Sequence, residues 1–126
     1  MVKEIDAKIN EIDTVVIQGH CLPFHVFKES PLNYQNIFSK LQEKILRKIE
    51  KEKNVILMGD FNYQNIFELL PKLKDKMKCV YENEKTRKDK QFDHILITKN
   101  IQVEDYKILQ LRFDHALCIA DIIIDI

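Results

Sequence analysis

Residues 54 to 59, Asn-Val-Ile-Leu-Met-Gly, form an apolar run stopped by a glycine, and Asp60 follows at once. A strand with one face in water alternates polar and apolar side chains, so an unbroken run requires a strand covered on both faces. Strands of that kind belong to layered α/β folds, in which ligands gather at the C-terminal ends of the strands. Asp60 and Asn62 leave the run at that end.

The flanking sequence supplies the layers. Thr14-Val-Val-Ile-Gln18 is β-branched and ends at Gly19, predicting a second buried strand that opens into a loop. Ile5, Ala7 and Ile9 alternate with polar residues, and the segment is read as a strand turning through 10 to 13 into the next. After Ser30-Pro31, a cap and a first-turn proline, Tyr34, Ile37, Phe38, Leu41, Ile45, Leu46 and Ile49 recur at helical spacing. A short helix is expected over 64 to 70, ended by Pro71, and a short strand over 79 to 81. Residues 82 to 90, rich in both charge signs, read as an exposed loop. Three more strands are expected over 92 to 98, 103 to 111 and 116 to 124. The sum is one mixed β-sheet layer with helices on one face, in one domain over 1 to 126.

Asn-Tyr-Gln-Asn-Ile-Phe occurs twice, at 33 to 38 and at 62 to 67. The similarity stops there, so the pair reads as two similar helix starts rather than a repeat.

Twenty basic and twenty acidic residues cancel, which removes any global attraction to nucleic acid or anionic membranes, so phosphate binding must come from a local site. No apolar stretch is long enough for a membrane span and no signal-peptide layout is present, making the cytoplasm the expected address. Cys21, Cys79 and Cys118 have neither metal-ligand nor disulfide spacing and read as buried thiols.

The chemistry-bearing residues fall at strand ends. His20 follows Gly19; Asp60 and Asn62 follow the apolar run; Asp93 interrupts an apolar strand; Asp114 and His115 precede the last one. An unpaired carboxylate at the position of Asp93 would cost several kcal/mol, so it needs a partner, and His115 is the expected one. Together these groups supply what phosphoester hydrolysis asks for: a group to align water, an imidazole or carboxylate to manage its proton, and donors or a cation for the developing charge. His25 and His94 read as structural.

In order and type, these motifs resemble the endonuclease/exonuclease/phosphatase (DNase I-like) superfamily. Ile56-Leu-Met-Gly-Asp-Phe-Asn62 is similar to its signature strand, Gly19-His20-Cys21-Leu22-Pro23 to the strand end that supplies a histidine, Gln91-Phe92-Asp93-His94-Ile95-Leu96 to its Asp-bearing strand, and Asp114-His115 to its closing pair. The resemblance implies the C-terminal half of a two-layer α/β sandwich. It implies that Asp60 orients the attacking water, Asn62 donates to phosphate, Asp93 orients His115 as base or phosphate ligand, and His20 assists as acid or phosphate ligand. Asp114 would help to hold Mg²⁺ or Mn²⁺. The half expected to carry the metal-anchoring glutamate is absent, and Phe113 stands where a small hydroxyl residue is usual.

Two functions stay open: a metal-dependent phosphoesterase acting on nucleic acid or a small phosphodiester, and a non-catalytic binding module. The bare sheet face is expected to be covered, by a homodimer mate or by the missing N-terminal half.

Overall fold

The computed structural model describes residues 2–52 and 54–124. Strand β1 (Val2–Ile9) turns at Asn10 and Glu11 into β2 (Ile12–His20), and both turn residues have positive φ, 54° and 64°. Two left-handed residues in a two-residue loop match the right-handed twist of the flanking strands, so the hairpin is tight and its register fixed.

Helix α1 (Gln35–Glu52) follows a single 3-10 turn over Pro31–Tyr34. Ser30 Oγ accepts the Leu32 N–H at 3.2 Å, so the expected cap is present, although it starts the 3-10 turn rather than the helix. α1 lays Phe38 and Ile45 against one sheet face, where Val15, Ile17, Val55, Leu57 and Leu96 are buried, while Gln42 Oε1 accepts the Lys72 N–H at 2.7 Å. Glu4 of β1 reaches the same side and pairs with Lys44 at 2.9 Å and Lys48 at 3.3 Å. These lysines, Lys44 first, hold the Glu4 carboxyl below its usual range.

Strand β3 (Asn54–Asp60) lies parallel to β2, as a helical crossover requires. Helix α2 (Ile66–Leu69), a 3-10 turn (Pro71–Leu73) and edge strand β4 (Met77–Cys79) come next. β5 (Asp93–Thr98) then inserts antiparallel between β3 and β4, giving a five-stranded mixed sheet in the order β1-β2-β3-β5-β4. The short strand expected at 79 to 81 is thus shifted towards the N-terminus.

The last two strands depart from a single sheet. Among the described residues, β6 (Gln102–Leu109) and β7 (Leu117–Ile123) pair only with each other, as a separate antiparallel ribbon. The ribbon turns Val103, Ile108, Cys118, Ala120 and Ile122 onto Ile56, Ile97, Val80 and Tyr81, the face opposite α1. The face expected to be bare is therefore partly covered by the chain's own C-terminal ribbon. Beyond it, Ile5 is 52% exposed, and the outer row of β7, Leu117, Ile119 and Ile123, is also open.

The two copies of Asn-Tyr-Gln-Asn-Ile-Phe enter helices differently. Ile37 is exposed on α1, whereas its counterpart Ile66 is buried at the start of α2, and Asn62 adopts φ 50° where Asn33 sits in the 3-10 turn. Identical local sequence yields here to what each copy packs against.

Candidate active site

Sheet register builds the site. His20 of β2 pairs with Asp60 of β3, and Asp60 pairs with Asp93 of β5. Cross-strand partners project to the same face, so one imidazole and two carboxylates stand in a row at one end of the sheet. Backbone bonds carry the pairing past the strand ends: Cys21 N–H donates to the Asp60 carbonyl and Phe61 N–H to that of Phe92, both at 2.9 Å. The row lies on the face that the β6–β7 ribbon covers, and the segment entering β7 adds His115.

His115 Nδ1 lies 2.6 Å from Asp93 Oδ2. An ionised carboxylate only accepts, so Nδ1 carries the proton and Nε2 is left for other work. That nitrogen is 3.5 Å from Asp60 Oδ2, and His20 Nε2 is 3.6 Å from the same oxygen. The first contact is a committed hydrogen bond, while the other two are too long to be strong ones. Asp60 Oδ1, in contrast, accepts the Asn62 N–H at 2.8 Å, which fixes the carboxylate and aims Oδ2 at the two imidazoles.

Asn62 Nδ2 donates to the Cys21 carbonyl at 2.7 Å, tying the turn after β3 to the loop after β2. The amide has a second N–H left for a ligand. Asp114 is exposed and stands apart from this cluster. Among the described residues, the groups whose ligand atoms lie within 4.8 Å of one another are Asp60, Asp93 and His115. Two carboxylate oxygens and an imidazole suit a hard divalent cation in kind but fall short in number, because Mg²⁺ takes six ligands in an octahedron.

Cys21 is next to the site, yet burial pushes its thiol up to about 11, with the Asp60 charge acting the same way. Burial also raises Cys79, to about 12, and Cys118. High thiol pKa values disfavour the nucleophilic thiolate, in keeping with the reading of these cysteines as packed residues.

Two further residues support the site: His94, read from the sequence as structural, and Thr86, which the sequence did not single out. His94 is 2% exposed, with Nε2 2.8 Å from the Tyr63 carbonyl and Nδ1 3.1 Å from Gln91 Nε2. A carbonyl only accepts and an amide nitrogen only donates, so His94 is neutral with its proton on Nε2; burial lowers its pKa accordingly. It joins the turn after β3 to the start of β5. Thr86, in the loop read as exposed, is 1% exposed, and its hydroxyl accepts from both Phe92 N–H and Asp93 N–H at 3.0 Å. The available signal was slight: Thr86 is the one short hydroxyl residue in a segment otherwise made of charged residues and Asn83.

No family profile matches the sequence, and no curated protein matches it at a significant level. Solved structures do. An endonuclease/exonuclease/phosphatase from Bacteroides vulgatus aligns with TM-score 0.67 at 16% identity, over 98% of this chain and 54% of that one. A mannosyl-6-phosphatase from Bacteroides thetaiotaomicron gives 0.68 at 16% identity, over 90% and 52%. The human nocturnin catalytic domain, solved with bound sulfate, gives 0.68 at 15% identity, over 96% and 51%. The chain therefore has the fold of about half of an endonuclease/exonuclease/phosphatase, DNase I-like domain. It spans about half the length of the proteins it matches.

Proposed function

We propose that the chain carries the proton-handling part of a metal-dependent phosphoesterase, and that a second α/β half, covering the open part of the inner sheet face, completes the site. The observation that carries this reading is the Asp93–His115–Asp60 arrangement: one short bond that orients the imidazole, and a carboxylate facing its other nitrogen.

Asp93 holds the Nδ1 proton of His115, so Nε2 is presented towards the substrate side. Asp60, with Oδ1 locked by Asn62, offers Oδ2 to accept a hydrogen bond from the attacking water and align it with phosphorus. His20 and His115, when protonated, donate to the phosphoryl oxygens that gain charge, and the uncommitted Asn62 N–H adds a third donor. Asp60 and Asp93, together with ligands from the second half, would hold Mg²⁺ or Mn²⁺. A bound divalent ion would neutralise phosphate charge and stabilise the leaving oxygen. The substrate class is a phosphoester, from nucleic acid or a small phosphodiester.

Hydrolysis of bis(p-nitrophenyl) phosphate with Mn²⁺ tests the reading, run on the chain completed by its second half, as wild type, Asp60→Ala and His115→Ala. A rate at least about a hundredfold higher for the wild type is expected; equal rates in all three would refute the proposal. The small number of convergent ligands favours a second reading, a binding module without turnover. Calorimetric titration with Mn²⁺ separates them, because a chain with no affinity for the ion cannot run the metal-assisted reaction by itself.

A further inference from the structure

We infer that Thr86 is a positioning residue that sets the alignment of Asp93 with His115, the pair on which the proposed function rests. The two arrive from separate sheets, Asp93 as the first residue of β5 and His115 just before β7. A 2.6 Å bond between elements of different sheets needs something to fix their separation, and Thr86 bonds to Asp93 on one side and to Ala116, next to His115, on the other.

Its hydroxyl oxygen accepts from Phe92 N–H and Asp93 N–H, each at 3.0 Å. Its backbone carbonyl accepts from Ala116 N–H, the residue after His115, at 2.6 Å. Its own N–H donates to the Lys90 carbonyl at 3.0 Å. Arg87 and Lys90 exchange two further 3.0 Å bonds, closing a tight turn in which Lys88 takes φ 52°. Thr86 is thus held by a closed loop behind it and grips two segments in front.

Other contacts immobilise the same frame. The Tyr81 hydroxyl donates to the Asp93 carbonyl at 2.8 Å, so the backbone of Asp93 is held at both its N–H and its C=O. Gln110 Nε2 donates to the Lys85 carbonyl at 2.6 Å, fastening the segment that leads to His115 onto the residue before Thr86. A valine at 86 keeps the volume and removes the acceptor, leaving two N–H groups without their partner; a serine keeps the acceptor and drops a methyl.

Proton NMR of the labelled chain tests this without relying on turnover. The His115 Nδ1 proton, in a short bond to a carboxylate, is expected far downfield of the amides. It should persist in Thr86→Ser and disappear in Thr86→Val. It should also persist in Ile45→Val, a destabilised control in the core on the α1 side. A folded Thr86→Val chain with that resonance unshifted would overturn the inference. Should Thr86→Val not fold, amide exchange of the wild type decides: one opening at Thr86 frees both Asp93 and Ala116, so their exchange rates should agree within about threefold. A difference of more than about tenfold sinks the proposal. A wild-type chain lacking the resonance would strike at the Asp93–His115 bond, and so at the proposed function, leaving the exchange comparison to judge Thr86 separately.

Discussion

The chain's only two glycines, Gly19 and Gly59, are cross-strand partners in β2 and β3, and a Cβ added to Gly59 would lie 1.8 Å from the Gly19 carbonyl oxygen. Gly59 also has φ +147°, a conformation that L side chains rarely adopt. Gly59→Ala should therefore cost about 3 kcal/mol or more and displace Asp60, its neighbour. Gly19→Ala meets only the Phe61 ring at 3.6 Å, an ordinary contact, and should be far milder. Urea unfolding midpoints of the two variants check this. Similar midpoints would contradict the close-approach argument.

The β1–β2 turn is strained at one position. Glu11 has φ 64° where glycine is the favoured residue. Glu11→Gly should relieve about 1 kcal/mol of left-handed strain, less the extra entropy of an unfolded glycine, and raise the melting temperature by roughly 2–4 °C. Differential scanning calorimetry reads it, and a lowered melting temperature would count against the turn geometry.

His94 gives the fold an acid-side dependence. Its pKa is lowered by burial, so the folded chain resists protonation while the unfolded chain protonates near the ordinary value of about 6.5. The unfolded state binds more protons in the window between these two values, so stability is complete above about pH 6.5 and is lost as pH falls through the folded value. Urea midpoints should drop between pH 7.5 and 5.5, and His94→Gln should flatten that drop while lowering the midpoint at both pH values. An unchanged slope in His94→Gln would assign the effect to other groups.

The outer row of β7 is open to solvent at Ile119, 38% exposed. Ile119→Lys should change folding stability by no more than about 0.5 kcal/mol, as a surface substitution. Where a second copy covers this face, it should at the same time lower the solution mass, measured by light scattering over a concentration series. A large loss of stability would mean that the side chain is buried in the isolated chain.

Much of the fold was legible where one local rule dominated. The unbroken run at 55 to 58 identified β3, and the helical spacing from Tyr34 to Ile49 identified α1, because each pattern reflects a single packing surface. The residues of the site row could be named because each sits beside a glycine or interrupts a strand. What local pattern could not show was the partition of strands: β6 and β7 alternate as any half-buried strands do, and only their pairing register sends them into a separate ribbon. Thr86 was hidden for a similar reason. Its partners include Ala116, far along the chain, as well as Lys90, Phe92 and Asp93 close by, and its immediate neighbours are charged.

The two sheets are guarded unequally at their margins. β4 closes the five-stranded sheet with three residues, Met77-Lys78-Cys79, a short edge carrying a lysine, which discourages further strand addition. β7 ends the ribbon with seven, Leu-Cys-Ile-Ala-Asp-Ile-Ile, in which Asp121 is the sole charge and there is no proline. Its outward N–H and C=O groups are a template for strand addition. When the chain is produced alone at high concentration, amyloid-like stacking should begin at this edge, and a charged or proline-bearing β7 should delay it.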